Sequence, residues 1–316
     1  MFAICLEASH KKGMGHLFRM LNFVKILEKN SQKFVFIINN NDKTKEILEK
    51  QKYLYEIEDF DDFSKDWETT IIEKYKIKYW INDRLDTDEK HTKNILKNSI
   101  KLITFDDLGS GAKDCDINIC GLLFHNKDIK AKKVLKGVEY LVLNNEIDLY
   151  KKKRKTVENI LVTLGGSDTY GVTIKVLNIL KKHKLKATIH TGPAFEHKKE
   201  LEEELTTDFK KIEFIPSLIE EFSKYDLAIT GGGVTPFEAN ASGLPCLIVA
   251  NETFEIPNAK FLESIGSSVF LGYHENIDES FFKNIKKLDL GKMSENGLLN
   301  IDTNASKRVY KEIISL

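Results

Sequence analysis

The chain has 316 residues, 41% hydrophobic and 30% charged, with 48 Lys+Arg balanced by 48 Asp+Glu. That length suits two domains of about 150 residues better than one core, and a formal net charge of zero provides no global field for nucleic acid or an anionic membrane. The one dense basic run, Lys151-Lys152-Lys153-Arg154-Lys155, falls in an expected linker and reads as solvated.

The first apolar run, Phe2–Leu6, lacks the basic start and long apolar stretch of a signal peptide. No apolar run approaches the ~18–20 residues of a membrane span. Cys5, Cys115, Cys120 and Cys246 form no C-x-x-C pair and have no His partner at zinc spacing. The expectation is a soluble, cytoplasmic protein with reduced, mostly buried thiols, no metal and no cofactor.

Short Ile/Val/Phe-rich runs then alternate with amphipathic stretches. In the first half strands are expected at Phe2–Leu6, Phe34–Ile38, 78–81, Lys101–Phe105, Ile117–Cys120 and 140–143. Leu17, Met20, Leu21, Val24 and Leu27 recur near the 3.6 period and predict the core stripe of a helix after the first strand. In the second half strands are expected at 160–164, Ala187–His190, 212–215, Leu227–Thr230, 246–249 and 268–271, with helices near 172–182, 195–206, 234–242 and 256–265. Strand–helix–strand repetition implies parallel sheets. The polar, Lys-rich stretch 144–158 separates the halves, and all five prolines lie beyond it. The expected fold is α/β: two Rossmann-like domains, 1–147 and 148–316.

Open parallel sheets bind ligands at the carboxyl ends of their strands, so the strand-to-helix loops carry the functional reading. Gly13-Met14-Gly15-His16-Leu17-Phe18-Arg19 follows the first strand. It is not a dinucleotide fingerprint, because Phe18 takes the third glycine position. His16 falls in the first helical turn, where the positive end of the helix dipole favours an uncharged imidazole that can accept a proton. A plain turn with a capping or solvated histidine fits the same residues. Gly165-Gly166-Ser167-Asp168 follows the first strand of the second half, with Asp168 placed to cap the next helix. Gly231-Gly232-Gly233 precedes Val234-Thr235-Pro236-Phe237-Glu238 and forms a nest suited to a diphosphate, with Glu238 placed for ribose hydroxyls. Neither glycine loop carries the Lys-[ST] pair of a Walker A, which disfavours an ATPase.

Gly13-Met14-Gly15-His16…Arg19, Phe105-Asp106-Asp107, Asp114-Cys115-Asp116, Leu164-Gly165-Gly166-Ser167-Asp168 and Ile229…Glu238…Gly243-Leu244-Pro245 occur in that order. The chain thereby resembles the UDP-sugar hydrolases of pseudaminic acid biosynthesis and the related spore-coat polysaccharide proteins. These in turn resemble the glycosyltransferase B fold of the peptidoglycan N-acetylglucosaminyltransferase. The resemblance implies a nucleotide held in the second domain, with Gly165, Gly166, Ser167, Gly231, Gly232, Gly233 and Thr235 around the diphosphate and Glu238 at the ribose. It implies His16 as the residue that activates water, with Gly13, Gly15 and Arg19 of its loop contacting substrate. It also implies a last helix, near 303–314, that returns to the first domain. Phe105-Asp106-Asp107 reads as a structural turn.

Two departures touch the substrate side. The family's Asp-x-Tyr loop, whose tyrosine joins catalysis, is replaced here by Asn82-Asp83-Arg84-Leu85-Asp86. Asp83 and Arg84 are the candidates to supply the lost contacts, or else form a strand-end salt bridge. Where the family has Asn-Gln, this chain has Asn251-Glu252 followed by extra residues.

The expected function is therefore a nucleotide-sugar hydrolase, with UDP as the nucleotide the resemblance implies, acting in nonulosonic acid or surface polysaccharide biosynthesis. The alternative is a glycosyltransferase using the same nucleotide-sugar site, with an acceptor hydroxyl in place of water. A transferase for lipid-linked acceptors would need an apolar or basic patch on the first domain; the nearest feature, Leu122-Leu123-Phe124, reads as core. A non-catalytic binding or sensor protein would ignore loss of His16. A nucleotide-sugar 2-epimerase-hydrolase would need an acidic catalytic cluster.

Overall fold

In a computed structural model, which describes residues 1–8, 14–62, 64–123, 129–166, 168–192, 194–212, 215 and 217–316, the β-branched and aromatic runs form two parallel sheets. The chain divides into two units, one of Met1–Asn144 with Asn304–Leu316, the other of Asn145–Thr303.

The first unit holds strands β1 (Phe2–Leu6), β2 (Phe34–Ile38), β3 (Tyr55–Ile57), β4 (Tyr79–Asp83), β5 (Lys101–Phe105), β6 (Ile117–Cys120) and β7 (Lys133–Lys136), in the order β3-β2-β1-β4-β5-β6-β7. Its helices are α1 (Gly15–Lys29), α2 (Asp42–Lys50), α3 (Trp67–Tyr75) and α4 (Glu89–Leu96). Asn41, Asp66 and Asp88 cap α2, α3 and α4 by accepting from the backbone N–H three residues on, as N-cap side chains do. Buried on both faces, β1 is apolar throughout. Phe2, Ile4 and Leu6 face the stripe of Leu17, Met20, Val24 and Leu27 on α1, whereas Ala3 and Cys5 face Trp67, Ile71 and Trp80.

The second unit holds β8 (Ile160–Thr163), β9 (Ala187–His190), β10 (Phe209–Ile212), β11 (Leu227–Thr230), β12 (Cys246–Ala250) and β13 (Ser268–Tyr273), in the order β10-β9-β8-β11-β12-β13. Its helices are α5 (Val172–Lys182), α6 (Lys198–Glu204), α7 (Leu218–Phe222), α8 (Thr235–Ala241), α9 (Ile256–Ser264) and α10 (Leu290–Asn300). Both sheets follow the doubly wound pattern, in which strand order reverses at a switch point. That point lies between β1 and β4 in one unit and between β8 and β11 in the other.

Several expectations are corrected. No strand spans 140–143: a 3-10 turn at Val138–Tyr140 follows Gly137 at φ 127°, and the sheet is completed by β7, an edge strand whose exposed lysines suit an unpaired border. The strand expected at 212–215 lies earlier, at β10, and 213, 214 and 216 fall outside the described residues. The basic run 151–155 is not uniformly solvated. Arg154 is 1% exposed and donates to the carbonyls of Lys152, Phe222, Tyr225 and Ser242. Helix α11 (Ala305–Ile314) packs into the core of the first unit through Ala305, Val309, Tyr310 and Ile313, although a division at 147/148 would assign it to the second. The four cysteines are free and buried.

Candidate functional site

In the first unit the switch point brings His16 of α1 to Asp83 at the end of β4. Alternation along a strand sends Ile81 and Asp83 to the α1 side and Trp80 and Asn82 to the other. His16 Nδ1 lies 2.6 Å from Asp83 Oδ1, with Asp83 fully buried and His16 11% exposed. Arg19, one turn after His16, donates through Nε to Asp83 Oδ2 at 2.8 Å. Its two terminal nitrogens reach Asp83 Oδ1 and Asp106 Oδ2, and its guanidinium lies over the Phe105 ring.

Burial opposes ionisation of Asp83, but Arg19 and His16 outweigh it and hold the carboxyl below the usual carboxylate range. For Arg19, burial works against the charge, and Asp83 and Asp106 overcome it, so the guanidinium is held charged. An ionised Asp83 only accepts. The imidazole proton is therefore assigned to Nδ1, leaving the Nε2 lone pair of a neutral ring free to take a proton. This is the arrangement of a general base oriented by a carboxylate.

Arg19 is thus engaged by two aspartates, and Asp106 is more than a turn residue. Its partner role was not legible in the sequence, because Arg19 and Asp106 are 87 positions apart and meet only through sheet order. Asp107 does serve as a turn residue: it accepts from the backbone N–H groups of Thr87 and Gly109. Gly15 opens α1, and a side chain there would meet nothing within 4 Å. Gly13 lies outside the described residues.

Arg84, named with Asp83 as a candidate for the lost contacts, faces the opposite side of the sheet from His16. Its guanidinium carbon sits 4.1 Å from the centroid of the Phe60 ring. The same face buries a polar chain: His91 Nδ1 lies 2.8 Å from Glu68, and Asn82 Oδ1 accepts from Trp80 Nε1 at 2.8 Å.

In the second unit the loops after β8 and β11 flank the switch point. Gly165 takes φ 94°, and a Cβ on Gly165 or Gly166 would meet nothing within 4 Å, so a ligand can approach the backbone closely there. Asp168 caps α5 as expected, its two oxygens accepting from Val172 N and Thr173 N at 2.8 Å each. Ser167 lies outside the described residues.

The loop Gly231-Gly232-Gly233 is contacted by the segment after β12. Asn251 Nδ2 would be 2.7 Å from a Cβ on Gly231 and donates to Leu164 O at 3.4 Å, while its Oδ1 is buried without a partner. Glu255, which the sequence reading passed over, places Oε2 on Gly232 N at 3.2 Å and on Asn251 N at 2.8 Å. Burial raises the Glu255 carboxyl, and the Asn251, Gly232 and Glu252 N–H groups work against that. A carboxylate of the chain itself thus stands at the nest. Thr235 begins α8, with Pro236 in its first turn. Glu238 is partly buried, and among the described residues nothing donates to its carboxylate. Burial pushes this carboxyl up to about 7.

Leu122 is buried, consistent with core, and Phe124 lies outside the described residues. Among the described residues no group of three or more His, Cys, Asp or Glu could hold a metal ion, and no helix is long and apolar enough to cross a membrane.

No protein-family model matches the chain. It is 30% identical over 272 residues to the uncharacterized protein MJ1062 of Methanocaldococcus jannaschii, a match covering 78% of this chain and 55% of that protein. The chain thus spans about half the length of that relative. It is 23% identical over 311 residues to the spore coat polysaccharide biosynthesis protein SpsG of Bacillus subtilis, covering 90% and 88% of the two chains. Among solved structures, Acinetobacter baumannii MurG superposes with a TM-score of 0.70 at 14% identity, covering 100% of this chain and 99% of its own. Anabaena Alr3699/HepE, in complex with UDP, superposes with a TM-score of 0.70 at 12% identity and 100% coverage of both. The chain is distantly related to SpsG, and its two parallel-sheet units have the glycosyltransferase B type of fold.

Proposed function

We propose that this protein is a nucleotide-sugar hydrolase, releasing the nucleotide from an activated amino or deoxy sugar for nonulosonic acid or surface polysaccharide biosynthesis. The observation that carries the reading is the His16–Asp83–Arg19 array. A proton assigned to Nδ1 leaves Nε2 as the base for a water molecule. In the proposed step the water oxygen bonds to the anomeric carbon as its bond to the diphosphate breaks, and the water proton passes to Nε2 of His16. The second unit would bind the nucleotide, with the loops 165–167 and 231–233 and Thr235 at the diphosphate, Glu238 at the ribose and Asn251 beside the sugar. Backbone N–H groups there would stabilise the charge that develops on the leaving group.

The SpsG relationship supports polysaccharide biosynthesis as the setting, and the UDP held by HepE supports uridine as the base. The second reading is a glycosyltransferase of the same fold, favoured by the likeness to the solved glycosyltransferase of Rickettsia africae. There the same Nε2 would take its proton from an acceptor hydroxyl.

The test is nucleotide release from a panel of UDP-, GDP- and CMP-sugars without acceptor, by wild type and His16→Ala. Acceptor-free release that needs His16 establishes the hydrolase. Tight nucleotide binding without release in any member of the panel moves the assignment to the transferase.

A further inference from the structure

We propose that Arg84 forms an oxyanion subsite in the first unit, one that takes a carboxylate or phosphate group of a ligand and is separate from the glycine loops of the second unit. The inference does not rest on the nucleotide-sugar reading.

Arg84 is 7% exposed, and its Nε is buried without a hydrogen-bond partner. Among the described residues no carboxylate pairs with its guanidinium. The nearby candidates are otherwise engaged or neutral: Glu68 accepts from His91 and Asn94, and the Cys5 sulfur, within hydrogen-bond reach of Arg84, is a thiol that burial pushes up to about 12, so it meets the guanidinium without a negative charge. The Phe60 ring, 4.1 Å below the guanidinium, stabilises a cation but offers no lone pair.

The other deeply buried arginine shows what a structural role requires. Arg154 donates to four backbone carbonyls, which take four of the five N–H donors of a guanidinium. Among the described residues Arg84 has no such shell of carbonyls, and its Nε has no acceptor. Burying an unpaired charge is costly, and such a cost is tolerated where a ligand completes the pairing.

Position points the same way. Arg84 directly follows β4, at the carboxyl edge of the sheet and at its switch point, where open α/β sheets bind ligands. A guanidinium stacked on a ring presents a planar fork that fits a carboxylate or phosphate through two parallel hydrogen bonds.

The two tryptophans of the chain report on this site. Trp67 lies 5.6 Å from the Phe60 ring and 5.8 Å from Trp80. The experiment is a tryptophan-fluorescence titration of the full chain with inorganic phosphate and with acetate, against chloride at matched ionic strength. The expected result is a saturable change with phosphate or acetate but not with chloride. It is lost in Arg84→Met and shifted at least about tenfold to higher concentration in Arg84→Lys, which keeps the charge without the fork. The anion with the lower midpoint names the group. Circular dichroism checks folding, and if Arg84→Met does not fold, the Arg84→Lys comparison decides. A wild type without a saturable response overturns the proposal, as does a folded variant that responds like wild type, which would place the anion elsewhere.

Discussion

Arg19 and His16 hold the same carboxylate: Asp83 takes the Nε–H of Arg19 at 2.8 Å and faces His16 Nδ1 at 2.6 Å. Because both donors sit on α1 one turn apart, Asp83 fixes the imidazole against rotation, and Arg19 fixes Asp83 in turn. Replacing Asp83 by Asn leaves the packing nearly unchanged but presents an amide in place of the acceptor that sets the tautomer. Turnover in Asp83→Asn is expected to fall by roughly 10²–10⁴, measured as nucleotide release at saturating substrate. A turnover equal to wild type would remove His16–Asp83 from the mechanism. Arg19→Lys should give a smaller loss in kcat with unchanged nucleotide affinity, because Arg19 acts through Asp83.

Glu238 provides a pH signature. Burial raises its carboxyl from the ordinary 4.5 to about 7, so the folded chain binds this proton more tightly than the unfolded chain. The associated stability is fully present below the unfolded value and is lost as pH rises through about 7. Wild type should lose thermal stability relative to Glu238→Gln as pH rises from about 5 to about 8. Ribose hydroxyls donate best to the ionised form, so nucleotide affinity should weaken as pH falls below about 7, and Glu238→Gln should flatten that profile. Calorimetric titrations across this range check both. Removing the side chain, in Glu238→Ala, should weaken binding about 10- to 100-fold, the range for hydrogen bonds to a charged group.

Glu255 competes with an incoming anion for Gly232 N–H. Glu255→Gln keeps an acceptor oxygen for the backbone but removes the like charge. UDP affinity should rise about fivefold, corresponding to ~1 kcal/mol of relieved repulsion between screened charges. An unchanged or weaker affinity would show that the carboxylate only shapes the turn.

Arg154→Met tests a purely structural cation. It removes a donor from four carbonyls, of which those of Ser242 and Phe222 keep a backbone N–H, and the expected loss is about 3 kcal/mol, read as a lower denaturation midpoint with an unchanged slope.

The fold was readable because alternation of apolar runs with 3.6-period stripes is a local property. Leu17, Met20, Val24 and Leu27 lie in the core as their spacing implies. The parts that failed depend on chain positions far apart. Arg154 belongs to a lysine-rich run, and only its carbonyl partners near 222, 225 and 242 distinguish it from its solvated neighbours. The pairing of Arg19 with Asp106 and the reach of Glu255 to Gly232 likewise need the sheet order. Arg84 faces away from His16 because adjacent strand residues point to opposite faces. The sequence placed Asp83 and Arg84 together but could not say which of them turned toward α1.

Helix α11 bears on the order of events during synthesis. Nascent chains ordinarily fold domain by domain from the N-terminus. Here Val309, Tyr310 and Ile313 fill the core beneath α1, and they are synthesised only after the whole of Asn145–Thr303. The continuous segment Asn145–Thr303 can complete its core while the earlier segment still waits for α11. The unit begun before Asn145 is therefore completed after the one that interrupts it, and a chain truncated before Ala305 would expose the apolar face of the unit that carries His16.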